Sequence, residues 1–142
     1  MQTVRQLLVQ KRSGLITVGP DATVFQALQI MAEHDIGAVL VMDMGDVLGI
    51  FSERDYARRI VLQGRTSAGT KVRDIMTSKV VYVTPEQTVA DCMALMTEKR
   101  FRHLPVLEDD KVLGLLSIGD LVRATIDEQQ FAIEQLVNYI RA

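Results

Sequence analysis

An internal duplication limits what this chain can fold into more than any other feature of its sequence. A shift of 65 residues superimposes residues 15–64 on residues 80–129 without a gap, and 13 of the 50 aligned pairs are identical. The identical pairs include three polar ones near the end of each copy: Ser52/Ser117, Asp55/Asp120 and Arg58/Arg123. Two copies are too few for a solenoid. We therefore expect a pseudo-twofold pair of modules that share one core.

Each copy predicts the same succession of elements. Short β-branched runs end at turn residues, and apolar residues then recur at helical spacing behind a capping threonine, Thr23 or Thr88. In the first copy we predict a strand at 15–18, a helix from 23, strands at 38–42 and 47–51, and a helix at 52–63. In the second copy we predict a strand at 80–83, a helix at 88–99, strands at 104–107 and 112–116, and a helix from 117. The predicted fold class is therefore α+β, with two β-α-β-β-α repeats related by pseudo-twofold symmetry.

Three segments lie outside the duplicated region. Near the amino terminus, Val4, Leu7 and Leu8 share one face, which predicts a short docking helix. The last helix continues to about residue 140 with an apolar stripe that packs either on a partner subunit or back on its own module. The predicted organisation is a docking helix at 1–12, repeat 1 at 13–64, a linker at 65–74, repeat 2 at 75–129 and a C-terminal helix extension at 130–142.

Composition argues against several classes of function. Sixteen Lys and Arg against eighteen Asp and Glu leave a formal net charge of −2, so we expect no nucleic-acid partner. The single cysteine, Cys92, excludes an internal disulfide framework and a Cys-based zinc site. No apolar run approaches membrane-spanning length, and the first residues lack a signal-peptide pattern. We expect a cytoplasmic protein with no membrane partner.

The pattern Gly-h-h-Ser-x-x-Asp (h, hydrophobic) occurs once near the end of each copy, at residues 49–55 and 114–120. In structural terms the serine and the aspartate form a helix capping box. In functional terms the helix amino terminus and the serine suit a phosphate, and the aspartate accepts hydrogen bonds from ribose hydroxyls. The two roles are compatible. Neither Ser52 nor Ser117 has a histidine nearby in sequence, so we do not expect an enzyme.

The chain resembles a tandem pair of CBS domains (cystathionine-β-synthase domains), also called a Bateman module. The resemblance is carried by the two Gly-h-h-Ser-x-x-Asp segments, the strand-then-proline starts at 15–20 and 80–85, Asp74-Ile-Met-Thr77 and Arg100-Phe-Arg-His-Leu-Pro-Val106. It covers residues 15–129 and implies a stand-alone bacterial CBS-pair protein. It also implies two related clefts for adenosine-containing ligands. Each cleft combines the Ser-x-x-Asp segment of one repeat with the first and second strands of the other.

Carried over by position, the resemblance implies two sets of nucleotide-binding residues and neither a catalytic residue nor a metal. The first set, which we call cleft 1, comprises Ser52, Arg54, Asp55, Thr77, Val80, Val81, Tyr82, Phe101, Arg102, His103 and Pro105. The second set, cleft 2, comprises Ser117, Ile118, Asp120, Leu15, Ile16, Thr17, Ile36, Gly37 and Ala38. By the same resemblance the aspartates would hold ribose hydroxyls, the serines would lie near phosphate, and the apolar residues would sandwich adenine.

The two predicted clefts differ in charge. Arg102 in cleft 1 corresponds to Gly37 in cleft 2, and His103 corresponds to Ala38. Cleft 1 therefore has a fixed cation for phosphate and a histidine, a residue type able to take up a proton at mildly acid pH. We expect tighter polyphosphate binding in cleft 1.

These features together predict a regulatory module that binds an adenosine nucleotide and signals to a partner by conformational change. The expected ligand is AMP, ADP, ATP, NAD or S-adenosylmethionine, with no catalytic cofactor. The expected partners are a second copy in a homodimer and an unidentified protein target. The alternative is a structural homodimerisation scaffold with vestigial clefts.

Replacing Arg102 with alanine tests the predicted phosphate contact. Arg102→Ala should weaken the binding of AMP more than that of adenosine, because the guanidinium has a partner only in the phosphorylated ligand. Calorimetric titration with both ligands measures the difference, and equal losses would refute the role.

Overall fold

The chain is described here by a computed structural model that covers residues 1–11 and 14–141. The predicted boundary between the docking helix and repeat 1, at residues 12 and 13, lies outside the described residues. So does residue 142, the last of the predicted C-terminal extension.

Both copies follow the predicted order of elements, and the α+β fold class is confirmed. The first half of the chain forms α1 (Val4–Gln10), β1 (Thr17–Val18), α2 (Val24–His34), β2 (Ala38–Asp43), β3 (Asp46–Ser52), α3 (Glu53–Asp55) and a π-helical segment (Tyr56–Val61). The second half forms a 3₁₀ turn (Val72–Asp74), α4 (Val89–Lys99), β4 (His103–Glu108), β5 (Lys111–Ser117) and α5 (Ile118–Arg141). In repeat 1, β2 pairs parallel to β1 and antiparallel to β3, and β4 pairs antiparallel to β5 in repeat 2.

The strand predicted at residues 80–83 is reduced to a single bridge. Val83 donates to the carbonyl oxygen of Pro105 at 3.0 Å and accepts from the Leu107 amide at 2.9 Å. Extending this parallel ladder back to Val81 requires an amide donor at residue 105, and proline has none. Leu40 occupies the equivalent position in repeat 1, where β1 forms a regular pair.

The segment that precedes each repeat completes the core of the other repeat. Val4 and Leu7 of α1 are buried in the hydrophobic cluster of repeat 2. Val72 and Ile75, which precede repeat 2 in the chain, are buried in the cluster of repeat 1. The two repeats therefore exchange the segments that precede them in the chain. The hydrophobic cluster of each repeat is complete only with residues from the segment that precedes the other repeat.

Equivalent backbone hydrogen bonds hold both exchanged segments. The Val4 amide donates to the Gln87 carbonyl at 2.8 Å, and the Val72 amide donates to the Ala22 carbonyl at 2.9 Å. An arginine follows each valine and forms an ion pair: Arg5 with Glu86 at 2.8 Å, Arg73 with Asp21 at 2.7 Å. The docking helix predicted within residues 1–12 is thus present as α1, and it has an internal counterpart at residues 71–76. Its offset of 68 residues (72 minus 4) differs from the 65 of the main duplication.

Glycine is required where the segment before repeat 2 crosses the sheet of repeat 1. A Cβ atom on Gly49 would lie 2.7 Å from the backbone carbonyl oxygen of Thr77, which is too close for a real Cβ atom. A Cβ atom on Gly114, the equivalent residue, would lie 2.9 Å from the end of the Leu8 side chain, which can move aside. The exchange therefore accounts for the glycine at position 49.

Helix caps direct the chain from α2 and α4 into the central strands. Thr23 and Thr88 each form a capping box at the amino end of their helix, as expected. At the carboxyl ends, Asp35 and Arg100 adopt left-handed conformations, with φ of 51° and 60°. After these turns, residues 36–38 in repeat 1 and residues 101–103 in repeat 2 occupy equivalent positions.

The helix predicted at 52–63 is regular for only one turn. After α3 it widens into the π-helical segment, where the Leu62 amide donates to the Ala57 carbonyl at 3.1 Å. Arg59 lies in this wider turn and donates to the carbonyls of Ile75 and Met76 at 2.9 and 3.0 Å. The π-helical segment therefore carries the arginine that ties α3 to the exchanged segment.

The carboxyl half of α5 does not fold back on its own module. This helix has 24 residues, but only Leu121 and Ala124 are buried. Every side chain from residue 126 to residue 141 is exposed. None of the helices in the described part of the chain is long and apolar enough to cross a membrane.

Truncating Ile75 tests the exchange of leading segments. Ile75→Ala should lower the free energy of unfolding by about 2–5 kcal/mol, because the side chain is fully enclosed in the repeat 1 cluster. Chemical denaturation measures this loss, with Leu62→Ala as an exposed control within about 0.5 kcal/mol of wild type. Amide exchange should accelerate first in β2. Acceleration confined to β4 would contradict the exchange.

Candidate functional site

Two cavities lie between the repeats, at the carboxyl ends of β3 and β5. The cavity beside Ser52 has a volume of about 440 Å³ and corresponds to cleft 1. The cavity beside Ser117 has a volume of about 630 Å³ and corresponds to cleft 2. Gly37 and His103 line both cavities, so the two clefts share a wall.

Most of the residues predicted for cleft 1 lie in its lining. They come from α3, from the segment before repeat 2 and from the start of β4: Ser52, Arg54, Asp55, Thr77, Val80, Val81, Phe101, Arg102 and His103. Tyr82 and Pro105 are not in this lining. Tyr82 is exposed, and Pro105 is buried within β4, where its carbonyl accepts the bond from Val83.

The predicted residues of cleft 2 divide more unevenly. Those that line its cavity are Ser117, Asp120, Ile16, Ile36, Gly37 and Ala38. Leu15 and Thr17 are exposed and do not line it, because side chains alternate along the strand and these two flank Ile16 on the opposite face. Ile118 lines cleft 1 instead. Its amide donates to the Arg102 carbonyl at 2.9 Å, which draws the start of α5 toward that cleft.

The capping geometry and the cleft position coincide at both Ser-x-x-Asp segments. The Ser52 amide donates to Asp55 Oδ2 at 2.9 Å, and the Asp55 amide donates to Ser52 Oγ at 3.2 Å. The same two bonds join Ser117 and Asp120, at 2.8 and 3.1 Å. Each aspartate is therefore fixed in one orientation by its helix cap while it lines a cavity.

Each aspartate also has a partner from an exchanged segment. Thr77 Oγ1 donates to Asp55 Oδ1 at 3.1 Å, and Lys11 Nζ donates to Asp120 Oδ2 at 2.8 Å. Burial raises the pKa of Asp120, but hydrogen bonds from Lys11 and Ser117 outweigh it and hold the pKa below its usual value. Asp55 and Asp120 thus each accept a hydrogen bond from a residue at the end of an exchanged segment.

The two carboxylates differ in how many acceptor positions remain open. A carboxylate offers about four lone-pair positions. Asp55 accepts three bonds, two from Ser52 and one from Thr77. Asp120 accepts two, from Ser117 and Lys11, and its Oδ1 accepts none from the described residues.

Arginine and lysine are concentrated in cleft 1. Its charged lining residues are six cations (Arg54, Arg58, Arg59, Lys79, Arg100 and Arg102) and two carboxylates (Glu53 and Asp55), a formal sum of +4. Those of cleft 2 are two cations (Lys11 and Arg123) and three carboxylates (Asp35, Asp120 and Asp127), a formal sum of −1 with histidine neutral. The electrostatic difference is therefore larger than the exchange of Arg102 for Gly37 predicts.

Several lining residues were not predicted from the sequence, and three of them, Arg58, Arg123 and Lys11, lie close to the aspartates. Arg58 and Arg123 are an identical pair in the repeat alignment, one helical turn after each aspartate, and this spacing is the signal that identifies them. Lys11 gives no such signal, because its counterpart in contacting the aspartate is Thr77, a residue of different chemistry.

His103 is neutral at mildly acid pH, although its residue type is able to take up a proton there. Burial, followed by the positive charge of Lys11 and then that of Arg102, lowers its pKa to about 4, against opposing effects of Asp120 and Asp55. The described residues contain no group of three or more His, Cys, Asp or Glu side chains placed to hold a metal ion.

Comparison with known proteins gives consistent matches. The CBS domain family model matches residues 4–62 and 72–127. The chain is 45% identical over 126 residues to the mitochondrial CBS domain-containing protein CBSX3 of Arabidopsis thaliana, a match that covers 85% of this chain and 61% of that protein. This chain thus spans less than two thirds of the length of that relative.

Solved structures share the fold. A protein with CBS domains from Burkholderia ambifaria MC40-6 superimposes with a TM-score of 0.86 at 52% identity, covering 90% of this chain and 96% of that one. The structure of CBSX2 in complex with AMP superimposes with a TM-score of 0.74 at 26% identity, covering 91% of this chain and 99% of that one.

The lowered pKa of His103 predicts a pH-dependent stability. Below the ordinary histidine pKa of 6.5 the unfolded chain takes up a proton that the folded chain does not bind until about pH 4. The free energy of unfolding should therefore fall by up to about 3 kcal/mol on acidification through this interval. His103→Gln should remove that part of the decrease in denaturation experiments. An unchanged pH dependence in the variant would contradict the prediction.

Proposed function

The chain belongs to the CBS domain family, and on that premise we propose that it is a regulatory module that binds adenosine-containing nucleotides in clefts 1 and 2. The observation that carries the proposal is the pair of fixed carboxylates, Asp55 and Asp120, each lining a cavity between the repeats. Cavity volumes of about 440 and 630 Å³ lie within the range of small-molecule sites. The AMP bound by CBSX2, a structural neighbour, supports the ligand class.

The ribose contact is the first step of the proposal. A ribose presents two adjacent hydroxyl donors, and Asp120 has two open acceptor positions with which to receive them. Asp55 has one, so a ribose in cleft 1 displaces the hydroxyl of Thr77 from Oδ1 or takes a single bond. In the first of these cases, ligand binding in cleft 1 breaks the hydrogen bond between Asp55 and Thr77.

Phosphate charge distinguishes the two clefts. The formal charge of +4 in cleft 1 favours the polyphosphates ATP and ADP, because guanidinium groups bind phosphate with charge-assisted hydrogen bonds. The carboxylates of Asp35 and Asp127 oppose polyphosphate in cleft 2. Cleft 2 is better suited to an adenosine ligand with less negative charge than ATP or ADP, such as AMP or S-adenosylmethionine.

Signalling follows from contacts that join the repeats. A ligand in cleft 1 bonds to Asp55 of repeat 1 and packs on Phe101 and Arg102 of repeat 2. Its affinity therefore depends on the relative position of the repeats, which is the requirement for a ligand-driven population shift. We propose that a homodimer transmits this shift to a protein target.

Calorimetric titration of nucleotide-free protein with AMP, ATP, S-adenosylmethionine and NAD tests the proposal, with guanosine monophosphate as control. Wild type should bind adenosine ligands at up to two sites per chain. Asp55→Asn and Asp120→Asn should each remove one site and leave the other, because the amide offers fewer acceptor positions to a ribose.

Asp91→Asn is the matched control for these variants. Asp91 completes the capping box of α4 with Thr88 in the same geometry, but it lines neither cavity. This variant alters the same capping position and should keep both sites. Absence of binding by wild type to every adenosine ligand would overturn the proposal and leave the scaffold alternative.

A further inference from the structure

The exposed part of α5 carries a heptad pattern. Apolar and amide residues recur at alternating spacings of four and three, with isoleucine at each a position. We call this set the seam: Val122, Ile126, Gln129, Ile133, Leu136 and Ile140. Its five apolar members are 40–79% exposed. The pattern extends over 19 residues, or about 28 Å of helix.

The seam is not the face that α5 packs against its own module. Leu121 and Ala124, the only buried residues of the helix, occupy positions c and f of the same heptad. Asp120 and Arg123, at positions b and e, line cleft 2. The helix therefore uses one side for its own core and cleft and leaves the a and d side without a partner in the described chain.

The charge distribution identifies a second copy as the partner of the seam. The positions that flank a coiled-coil contact, g and e, hold no charged residue between residues 125 and 139: they are Thr125, Gln130, Ala132, Val137 and Tyr139. The charged residues Asp127, Glu128 and Glu134 lie at positions b and c. Two identical seams can therefore meet across a twofold axis without bringing like charges together.

The residue types select the geometry. Isoleucine at position a with leucine at position d favours two parallel strands. All three a positions of the seam are isoleucine, and its d positions are Val122, Gln129 and Leu136. In a parallel pair Gln129 faces its own copy. We propose that two copies of this chain associate through the seam as a parallel two-stranded coiled coil.

The coiled coil provides the contact surface of the homodimer in the proposed function, and this inference rests on that homodimer. It does not require nucleotide binding. It gives cleft 2 a direct route to the partner, because Asp120 and Arg123 lie on the same rigid helix as the seam. A ligand that repositions the first turn of α5 moves the seam with it.

Charge substitution in the seam tests the proposal by sedimentation equilibrium. Ile133→Glu and Leu136→Glu should each raise the dimer dissociation constant about 100-fold or more, because two unpaired carboxylates would be buried. Phe131→Glu is the matched control: Phe131 is 63% exposed on the same helix, at position f. It should leave the dissociation constant within about threefold of wild type. All three positions are exposed, and circular dichroism checks that each variant folds.

Cysteine cross-linking tests the parallel orientation. Gln129→Cys and Leu136→Cys should each form a disulfide with its own copy, because equivalent d residues meet in a parallel pair. Phe131→Cys should not, and the native Cys92 is buried.

The outcomes separate the two proposals. A dimer that is unaffected by Ile133→Glu and Leu136→Glu would overturn the seam and place the homodimer contact on another surface. A monomeric wild type would overturn both the seam and the homodimer. A seam-dependent dimer that binds no adenosine ligand would overturn the sensor function and support the seam.

Discussion

The exchange of leading segments is the constraint on which the rest of the structure depends. Because Val4 and Val72 each fill the core of the opposite repeat, neither repeat buries its own apolar surface with its own residues alone. The same exchange builds the clefts. The chain leaves each exchanged segment beside the sheet that the segment covers, and there it delivers Lys11 to Asp120 and Thr77 to Asp55. The stability of the pair and the chemistry of its clefts therefore have a common origin.

The order of elements was predictable because the duplication offers each element twice, with helical or alternating periodicity in both copies. The exchange was not, because the counterpart of α1 lies at a different offset and is only a few residues long. Two local errors have local causes. Pro105 removes the donor that a strand at 80–83 needs, and the helix after Ser52 widens where Arg59 reaches the exchanged segment. Such effects depend on partners distant in sequence, which periodicity does not report.

The candidate site was predictable to the extent that it is encoded in short motifs. The Ser-x-x-Asp segments were recognised from their spacing, whereas the residues around Arg102 were expected only from the resemblance to CBS domains. The charge state of His103 was not predictable from the sequence, because it depends on burial and on Lys11, which lies 92 positions away (103 minus 11). The charge contrast between the clefts was underestimated for the same reason. Lys79, Arg100 and Asp127 contribute to it only through their positions in three dimensions.

The shared wall of Gly37 and His103 has a consequence for what such a module reports. Because Gly37 and His103 line both cavities, a ligand that displaces these residues in one cleft changes the shape of the other cleft. Thermodynamic linkage makes the effect mutual, because each ligand changes the affinity of the protein for the other by the same factor. Under the proposed function, a chain with one cleft for polyphosphates and one for less charged adenosine ligands therefore has an output that depends on the concentrations of both ligands together.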